Sequence, residues 1–490
     1  MKTLSEIIII ILFSVAAFAQ AGELDNTFGG DGKVTTYIQS FGAEIHSLAI
    51  QTDGKIVAAG TSKSGVSHSA GCLARYNTNG TVDSSFNGSG ISIYGGLPYR
   101  NAVSVAIQSD GKIVFVGDDF NTGYIARLNT DGIIDASFGI GGIFEDPSFT
   151  FAHSLAIQTD GKIIAAGGGG FTVIRYNEDG TRDSTFGIGG IVTNSNLTNA
   201  LSVVIQTDGK ILTVTSSYFT SSCLVRLNTD GTLDSSFNSN GIVATNIGIE
   251  FTSSPVIIQP DGKIIVAGSS GLDFAMARYN TNGMPDSSFG LGGQATTYLT
   301  NSTLSSMALQ SDGKIIAVGV AGNYASDFAV ARFNSNGALD DTFGTNGILS
   351  TDFNDLDDAA FSVAIEPDQT IVVAGYAKSI YPWTEFAVAR YLSGLELGIL
   401  NFSSSPTSLL IYPNPIHQTE TLEYTLTKNE SLTIALYDVN GRLIRNFISN
   451  EDQAAGAHKE TLNIGELTSG NYFLTISNGE QKMSVKIVKQ

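Results

Sequence analysis

Cysteine, tryptophan and charge are all scarce in this chain. Among 490 residues there are 2 cysteines, 1 tryptophan and 10 prolines, and charged residues make up 15%, against about 25% in an average soluble domain. Cys72 and Cys223 alone cannot build the disulfide framework of a small secreted domain. Positive charge is especially short: Lys plus Arg number 26 against 46 Asp plus Glu, a net charge of −20. So acidic a chain repels a phosphate backbone, and nucleic acid is not an expected partner. Beyond the N-terminal leader no apolar run reaches 18 residues, so no transmembrane anchor is expected. Helical periodicity is missing, which removes α-solenoids. His-Glu-x-x-His, Gly-x-Ser-x-Gly, Walker A and Gly-x-Gly-x-x-Gly phrases are missing too, so zinc protease, elbow hydrolase and nucleotide chemistry find no support.

What the chain has in plenty is glycine, 55 residues, within a composition that is 42% hydrophobic. That describes short apolar strands joined by tight turns rather than disorder. At the N-terminus, Lys2, the apolar run Ile7 to Ala19 and Ala17-Phe18-Ala19 read as a secretory signal peptide over 1–19, cut after Ala19. The run is too short to span a bilayer core of about 30 Å.

Self-comparison yields the fold. The phrase Gln51-Thr-Asp53-Gly54-Lys55-Ile56 recurs at Gln108, Gln158, Gln206, Gln259 and Gln310, with a worn copy from Glu366 to Ile371. Its aspartates, from Asp53 to Asp368, are spaced by 48 to 57 residues. A second phrase follows each copy, Arg75-Tyr-Asn77-Thr-Asn79-Gly80-Thr-Val-Asp83-Ser-Ser-Phe86 in the first, with its arginine again at 127, 175, 226, 278, 332 and 390. Each period holds four strand candidates and two glycine turns suited to hairpins. The expected fold is all-β: a seven-bladed β-propeller over 20–394 with four-stranded blades. The last copy stops at Tyr391-Leu392, and its missing final strand is found at Leu24 to Val34, so the N-terminal strand is expected to close blade seven as its outer edge. These phrases resemble the delta-60 β-propeller repeat, a bacterial family of uncharacterised function, over about 24–393.

Repetition ends near Gly394, with a linker over 395–406 and a small β-sandwich over 407–490. Tyr412-Pro-Asn-Pro415, Leu436-Tyr-Asp-Val-Asn-Gly-Arg442, Ser469-Gly-Asn-Tyr-Phe473 and a basic final strand resemble the type A C-terminal sorting domain of the type IX secretion system. The resemblance implies passage through the outer membrane of a Gram-negative bacterium by way of the secretion machinery. It further implies removal of the domain, then release or attachment to surface lipopolysaccharide. This region holds 7 basic and 9 acidic residues, leaving −18 on the rest.

Six of the seven arginines have an aspartate eight residues on, at 83, 135, 183, 234, 286 and 340, and the seventh, Arg390, is matched by Asp25. Seven such pairs predict structural ion pairs rather than an anion site. The Asn-x-Asx-Gly turns resemble the start of a calcium loop but lack its Glu at position twelve. Asp352, Asn354, Asp355, Asp357 and Asp358 are the better calcium candidates, a solvated acidic loop being the alternative. His46 and His153 share a register that reads as a packed or rim position. Cys72 and Cys223 also share one, too far apart for a disulfide, which predicts two buried free thiols.

With four strands per blade, both stereotyped turns fall on one face and the variable loops on the other. On the variable face lie Tyr94, Tyr99, Arg100, Asp118, Asp119, Phe120, Tyr218, Phe219, Tyr324, Asp327, Tyr381, Trp383 and Glu385. Aromatics beside carboxylates suit carbohydrate stacking. The reading is therefore a secreted or surface-displayed, monomeric binding propeller for a glycan or another surface macromolecule. The alternative is a secreted carbohydrate-active hydrolase or lyase with paired carboxylates at the propeller mouth. No cofactor is expected beyond calcium.

Overall fold

The computed structural model describes residues 21–39, 41–65, 68–94, 100–119, 121–215, 222–245, 254–270, 273–299, 301–322, 325–379, 383–394, 410–412, 419–426, 429–438, 443–464, 467, 470–478 and 482–489. The expected leader and linker, and Tyr99, Phe120, Tyr218, Phe219, Tyr324 and Tyr381, lie outside them. The chain divides into two compact units, Met1–Gly394 and Leu395–Gln490.

The first unit is the seven-bladed propeller. Each blade is one antiparallel sheet of four strands in sequence order, as in Ala43–Ile50, Ile56–Gly65, His68–Tyr76 and Ile91–Tyr94 of blade one. The first hairpin turns at an Asp-Gly pair whose glycine has φ of +81° in blade one and +85° in blade six, the left-handed region that glycine adopts without strain. Blade seven reads Asp358–Ile365, Ile371–Lys378, Thr384–Tyr391, and is completed by Lys33–Thr36 from the other end of the chain. Val34 lies opposite Val388, and Leu24 bridges Tyr391. The closing strand thus begins later than the sequence phrase predicts, because Asp25 to Gly32 is spent on the turn that carries Phe28. In blade one, likewise, Phe86 sits in the turn before the outer strand.

Apolar side chains pack between blades rather than within them. Val57, Ala59 and Leu73 of blade one meet Phe115 and Tyr124 of blade two, and blades seven and one share Val372, Val388 and Ile45. The phenylalanine ending each second phrase, Phe28, Phe86, Phe138, Phe186, Phe237, Phe289 and Phe343, is fully buried. Burying such a side chain stabilises by roughly 1.5–3 kcal/mol, and the sequence provides one for every seam.

The second unit is a β-sandwich. One sheet holds Leu410–Tyr412, Thr419–Leu426 and Gly456–Asn463; the other holds Leu443–Gln453, Glu430–Asp438, Gly470–Ser477 and Lys482–Lys489. Leu422, Leu432, Ile434, Leu474 and Ile487 form its core. Among the described residues no helix is long and apolar enough to cross a membrane.

Candidate functional site

Every second-phrase arginine closes a blade seam. Arg226 Nε donates to Asp234 Oδ2 at 2.7 Å, one terminal nitrogen reaches the Thr281 carbonyl of the next blade at 2.6 Å, and the guanidinium lies 4.3 Å from the Phe237 ring centroid. Arg75, Arg127, Arg175, Arg278, Arg332 and Arg390 repeat the arrangement with Asp83, Asp135, Asp183, Asp286, Asp340 and Asp25. In six blades the Asp-Gly-Lys lysine adds a second cation, as Lys210 does to Asp234 at 2.9 Å. Burial alone would raise Asp340, but the Thr342 hydroxyl, Lys314 and Arg332 outweigh it and hold the carboxyl at about 2. These guanidiniums are spent on structure, as the pairing count predicts.

The variable-face residues do not form one constellation. Arg100 pairs with Glu145 and lies 5.1 Å over the Tyr124 ring. Asp118 is buried and accepts the Ala152 N–H at 2.9 Å, which ties blade two to blade three. Asp119 caps its own loop, accepting from the amides of Asn121 and Thr122. Trp383 packs on Phe41 with centroids 4.8 Å apart, Glu385 is half-buried in the third strand of blade seven, and Tyr94 packs against Phe115.

Asp327 joins the acidic loop instead. Asp327, Asp352 and Asp358 each place a carboxylate oxygen within 4.8 Å of the others. Asp358 is fully buried, and burial, with Asp352 and Asp327 nearby, pushes its carboxyl up to about 6. Its oxygens accept the amides of Phe353 at 2.7 Å and Lys378 at 3.3 Å. Of the other calcium candidates, Asp357 is paired with Lys378 at 2.9 Å, Asp355 takes φ of +57° in the turn, and Asn354 is exposed. Three hard oxygens in one place are the beginning of a divalent-cation shell, which for calcium takes six to eight.

One concave feature of the propeller lies on its axis. A cavity of about 540 Å³ is lined by the innermost strands of all seven blades: His46 and Ser47, Val103 and Ser104, His153 and Ser154, Leu201 and Ser202, Ser254 and Pro255, Ser305 and Ser306, Phe361 and Ser362. None of the described lining residues is a carboxylate. Four of the serines brace the ring, since Ser47, Ser104, Ser154 and Ser362 each accept an amide of the next blade at 3.0–3.2 Å, from Val105, Leu155, Val203 and Leu48. A hydroxyl that accepts in this way keeps its proton for a second partner. A register shift before the serine, between Ile45 and Ser47 in blade one, turns the intervening residue inward. This places His46 and His153 on the channel wall, packed as expected but also facing the cavity. His46 stacks on Phe361 and meets the Thr61 hydroxyl at 3.0 Å. Burial pushes His153 down to about 4, and its buried Nε2 has no partner among the described residues.

The serine ring has a sequence signal that periodicity reading passes over: serine stands four residues before Gln51, Gln108, Gln158, Gln206, Gln310 and Glu366, and proline before Gln259. Neither cysteine is in a disulfide; Cys72 is buried with its thiol pushed up to about 12 and Cys223 is only half-buried. The expectation of two buried thiols therefore holds for one; Cys223 opens the third strand of its blade, where the chain emerges from the loop.

Residues 410–490 match the family model of the secretion system C-terminal sorting domain. Six stretches, 51–86, 108–138, 158–186, 206–237, 259–289 and 310–343, match the beta-propeller domain of unknown function DUF5122. The propeller thus carries DUF5122-type repeats and is followed by a secretion sorting domain. That tail marks it for export to the cell surface or beyond. No curated protein matches the chain. Among solved structures, a Dyadobacter fermentans protein of unknown function is 12% identical at a TM-score of 0.45, covering 74% of this chain and 97% of that one. Agrobacterium tumefaciens regucalcin, titled a calcium-binding protein, is 11% identical at a TM-score of 0.33, covering 59% and 89%. A quinoprotein alcohol dehydrogenase-like protein of Bacteroides thetaiotaomicron is 12% identical at a TM-score of 0.39, covering 65% and 68%. Likenesses this distant carry no activity across.

Proposed function

We propose that this exported propeller is a binding module that takes the end of a glycan, or a similar hydroxyl-rich group, into its axial cavity. The observation that carries the reading is the lining: hydroxyls from all seven blades beside two imidazoles and the Phe361 ring, in about 540 Å³. Ligand pockets generally measure about 300–1,000 Å³. Hydroxyls and neutral imidazoles both donate and accept, which suits sugar hydroxyls, and an aromatic face suits the apolar face of a sugar ring. The lining has no pair of carboxylates to act as acid and base, so retention is expected over cleavage.

Incubation of the chain with a panel of polysaccharides, reading both retention on immobilised glycan and reducing-end release, tests this. Retention without release that is lost in Phe361→Ala is the expected result. Release would move the reading to a hydrolase or lyase, and neither would turn it to a protein partner. Calcium, on this reading, is an accessory at Asp327, Asp352 and Asp358, checked by repeating the retention assay with and without chelator.

A further inference from the structure

The seventh Gln-x-Asp-Gly-Lys phrase is not merely worn. Its changes fall together and alter the charge of one corner of the propeller. In six blades the corner holds two cations and two carboxylates: in blade one, Arg75 and Lys55 with Asp83 and Asp53. In blade seven the lysine is Thr370 and the glutamine is Glu366, so Arg390 alone faces Asp25, Asp368 and Glu366. Arg390 reaches Glu366 Oε2 at 3.4 Å, as Arg75 reaches the Gln51 amide oxygen at 3.4 Å elsewhere. The Thr370 hydroxyl also meets Glu366 Oε2, at 2.5 Å, while Oε1 has no partner among the described residues.

A cavity of about 480 Å³ opens at this point on the stereotyped face, apart from the lining of the axial cavity. It is lined by aliphatic Ile50, Leu309, Ile365 and Pro367 and by polar Gln51, Thr52, Ser311 and Gln369, with Glu366 its one charged group. Gln369 replaces the turn glycine of the other blades at φ of +74° and accepts the Ser311 N–H at 3.0 Å, linking blade seven to blade six. A non-glycine residue held at positive φ is a cost that the chain meets at this turn alone among the seven. Burial raises the Glu366 carboxyl, consistent with an anion short of counter-charge.

We infer that this pocket binds a primary alkylammonium group, with Glu366 as its counter-ion and the aliphatic walls holding its chain. The charge that six blades supply internally as lysine is supplied here from outside. A bare divalent cation would want six to eight oxygens and no apolar wall; an alkylammonium wants one carboxylate and an apolar sleeve. The same chemistry is offered by a free amine and by a lysine side chain of another protein. The inference is independent of the glycan reading, because it concerns a different cavity.

The test is titration of the full chain, followed by amide NMR shifts at low salt, with n-butylammonium, N-acetyl-lysine methylamide, 1-butanol and calcium chloride. Butylammonium is expected to bind and 1-butanol and calcium not to; binding of the lysine derivative as well assigns the pocket to protein lysines, and its failure assigns it to free amines. Glu366→Gln is expected to weaken butylammonium binding about tenfold or more, the loss of one close charge pair. That variant restores the residue of the other six blades, so the ring is expected to fold. Thr370→Lys, which supplies the missing ammonium from within, is expected to weaken binding as well and serves if the first variant does not fold. Equal binding of 1-butanol, preference for calcium, wild-type affinity in both variants, or no binding of any amine overturns the inference.

Discussion

The two faces of the propeller solve the same problem, joining each blade to the next, in opposite ways. On the stereotyped face one solution is repeated: arginine, aspartate, phenylalanine and a neighbouring carbonyl, with distances that differ by a few tenths of an ångström from blade to blade. On the variable face the seams are joined by unlike contacts, the Asp118 carboxylate on the Ala152 amide between blades two and three and the Asp358 amide on the Ser326 carbonyl between blades six and seven. Repetition leaves a face little freedom to evolve a ligand site, and the exception on the stereotyped face is the one blade that breaks the repeat. Single solutions leave the variable loops free, while the channel between the faces stays braced by the serines.

The sharpest contrast lies between a buried pair and an exposed one. Arg226→Ala strands Asp234 in a buried position, with Lys210 as its remaining cation, and is expected to cost about 3–5 kcal/mol. Lys63→Ala removes a largely exposed partner of Glu44 at the loop end of its strand and is expected to cost less than about 1 kcal/mol. Urea unfolding of both variants checks this, and similar losses would mean that the seams are not what holds the ring.

Acid should separate the faces next. Asp340 sits near 2 in the folded chain and its counterparts are also depressed. A depressed carboxyl contributes stability above its unfolded value near 3.8, and that contribution is lost as pH falls below it. Midpoints of thermal unfolding measured from pH 5 to pH 2 are expected to fall steeply below pH 4; a flat profile would break the account of the seams.

The seams and the closing strand were legible in the sequence because both are matters of counting: seven arginines, six following aspartates, and a seventh at Asp25. The channel was not legible in that way. Alternation assigns residues to faces at period two, and a bulge between Ile45 and Ser47 or between Ala152 and Ser154 resets the alternation at the point that turns His46 and His153 inward. Asp118 reads as a ligand donor because it borders a variable loop, yet it ends the second strand of blade two and its carboxylate is used on the next blade. Whether a loop carboxylate points to solvent or to a neighbouring amide depends on contacts distant in sequence, which no local pattern encodes.

His153 gives a way to weigh the channel against the seams. Its imidazole is held near 4 by burial, so as pH falls from 6.5 the unfolded chain takes up a proton that the folded chain refuses, and stability drops. Blade four carries Leu201 at the same register, so His153→Leu is a substitution that the ring already tolerates. The stability of the variant relative to the parent is expected to rise by roughly 1–3 kcal/mol between pH 7 and pH 4.5, read from denaturant unfolding at each pH. No relative gain would place the ring in ready contact with solvent.

Asp358 carries the smallest expected effect and the opposite sign. Its folded value near 6, raised by burial and by Asp352 and Asp327, means that the folded chain binds a proton between pH 6 and pH 4 that the unfolded chain does not. Stability from this group is therefore gained as pH falls through that window and absent above it. Asp327→Asn removes one of the like charges while leaving an oxygen to accept the Ser350 hydroxyl at 2.9 Å. The substitution is expected to lower the Asp358 value and to raise stability at pH 7 by less than about 1 kcal/mol. If the same change instead lowers stability at pH 7, and the loss appears only when calcium is present, then the three carboxylates are held together by a cation and not merely tolerated beside one another. The variable face would then own one site fixed by metal, where the stereotyped face fixes its carboxylates with arginine and lysine.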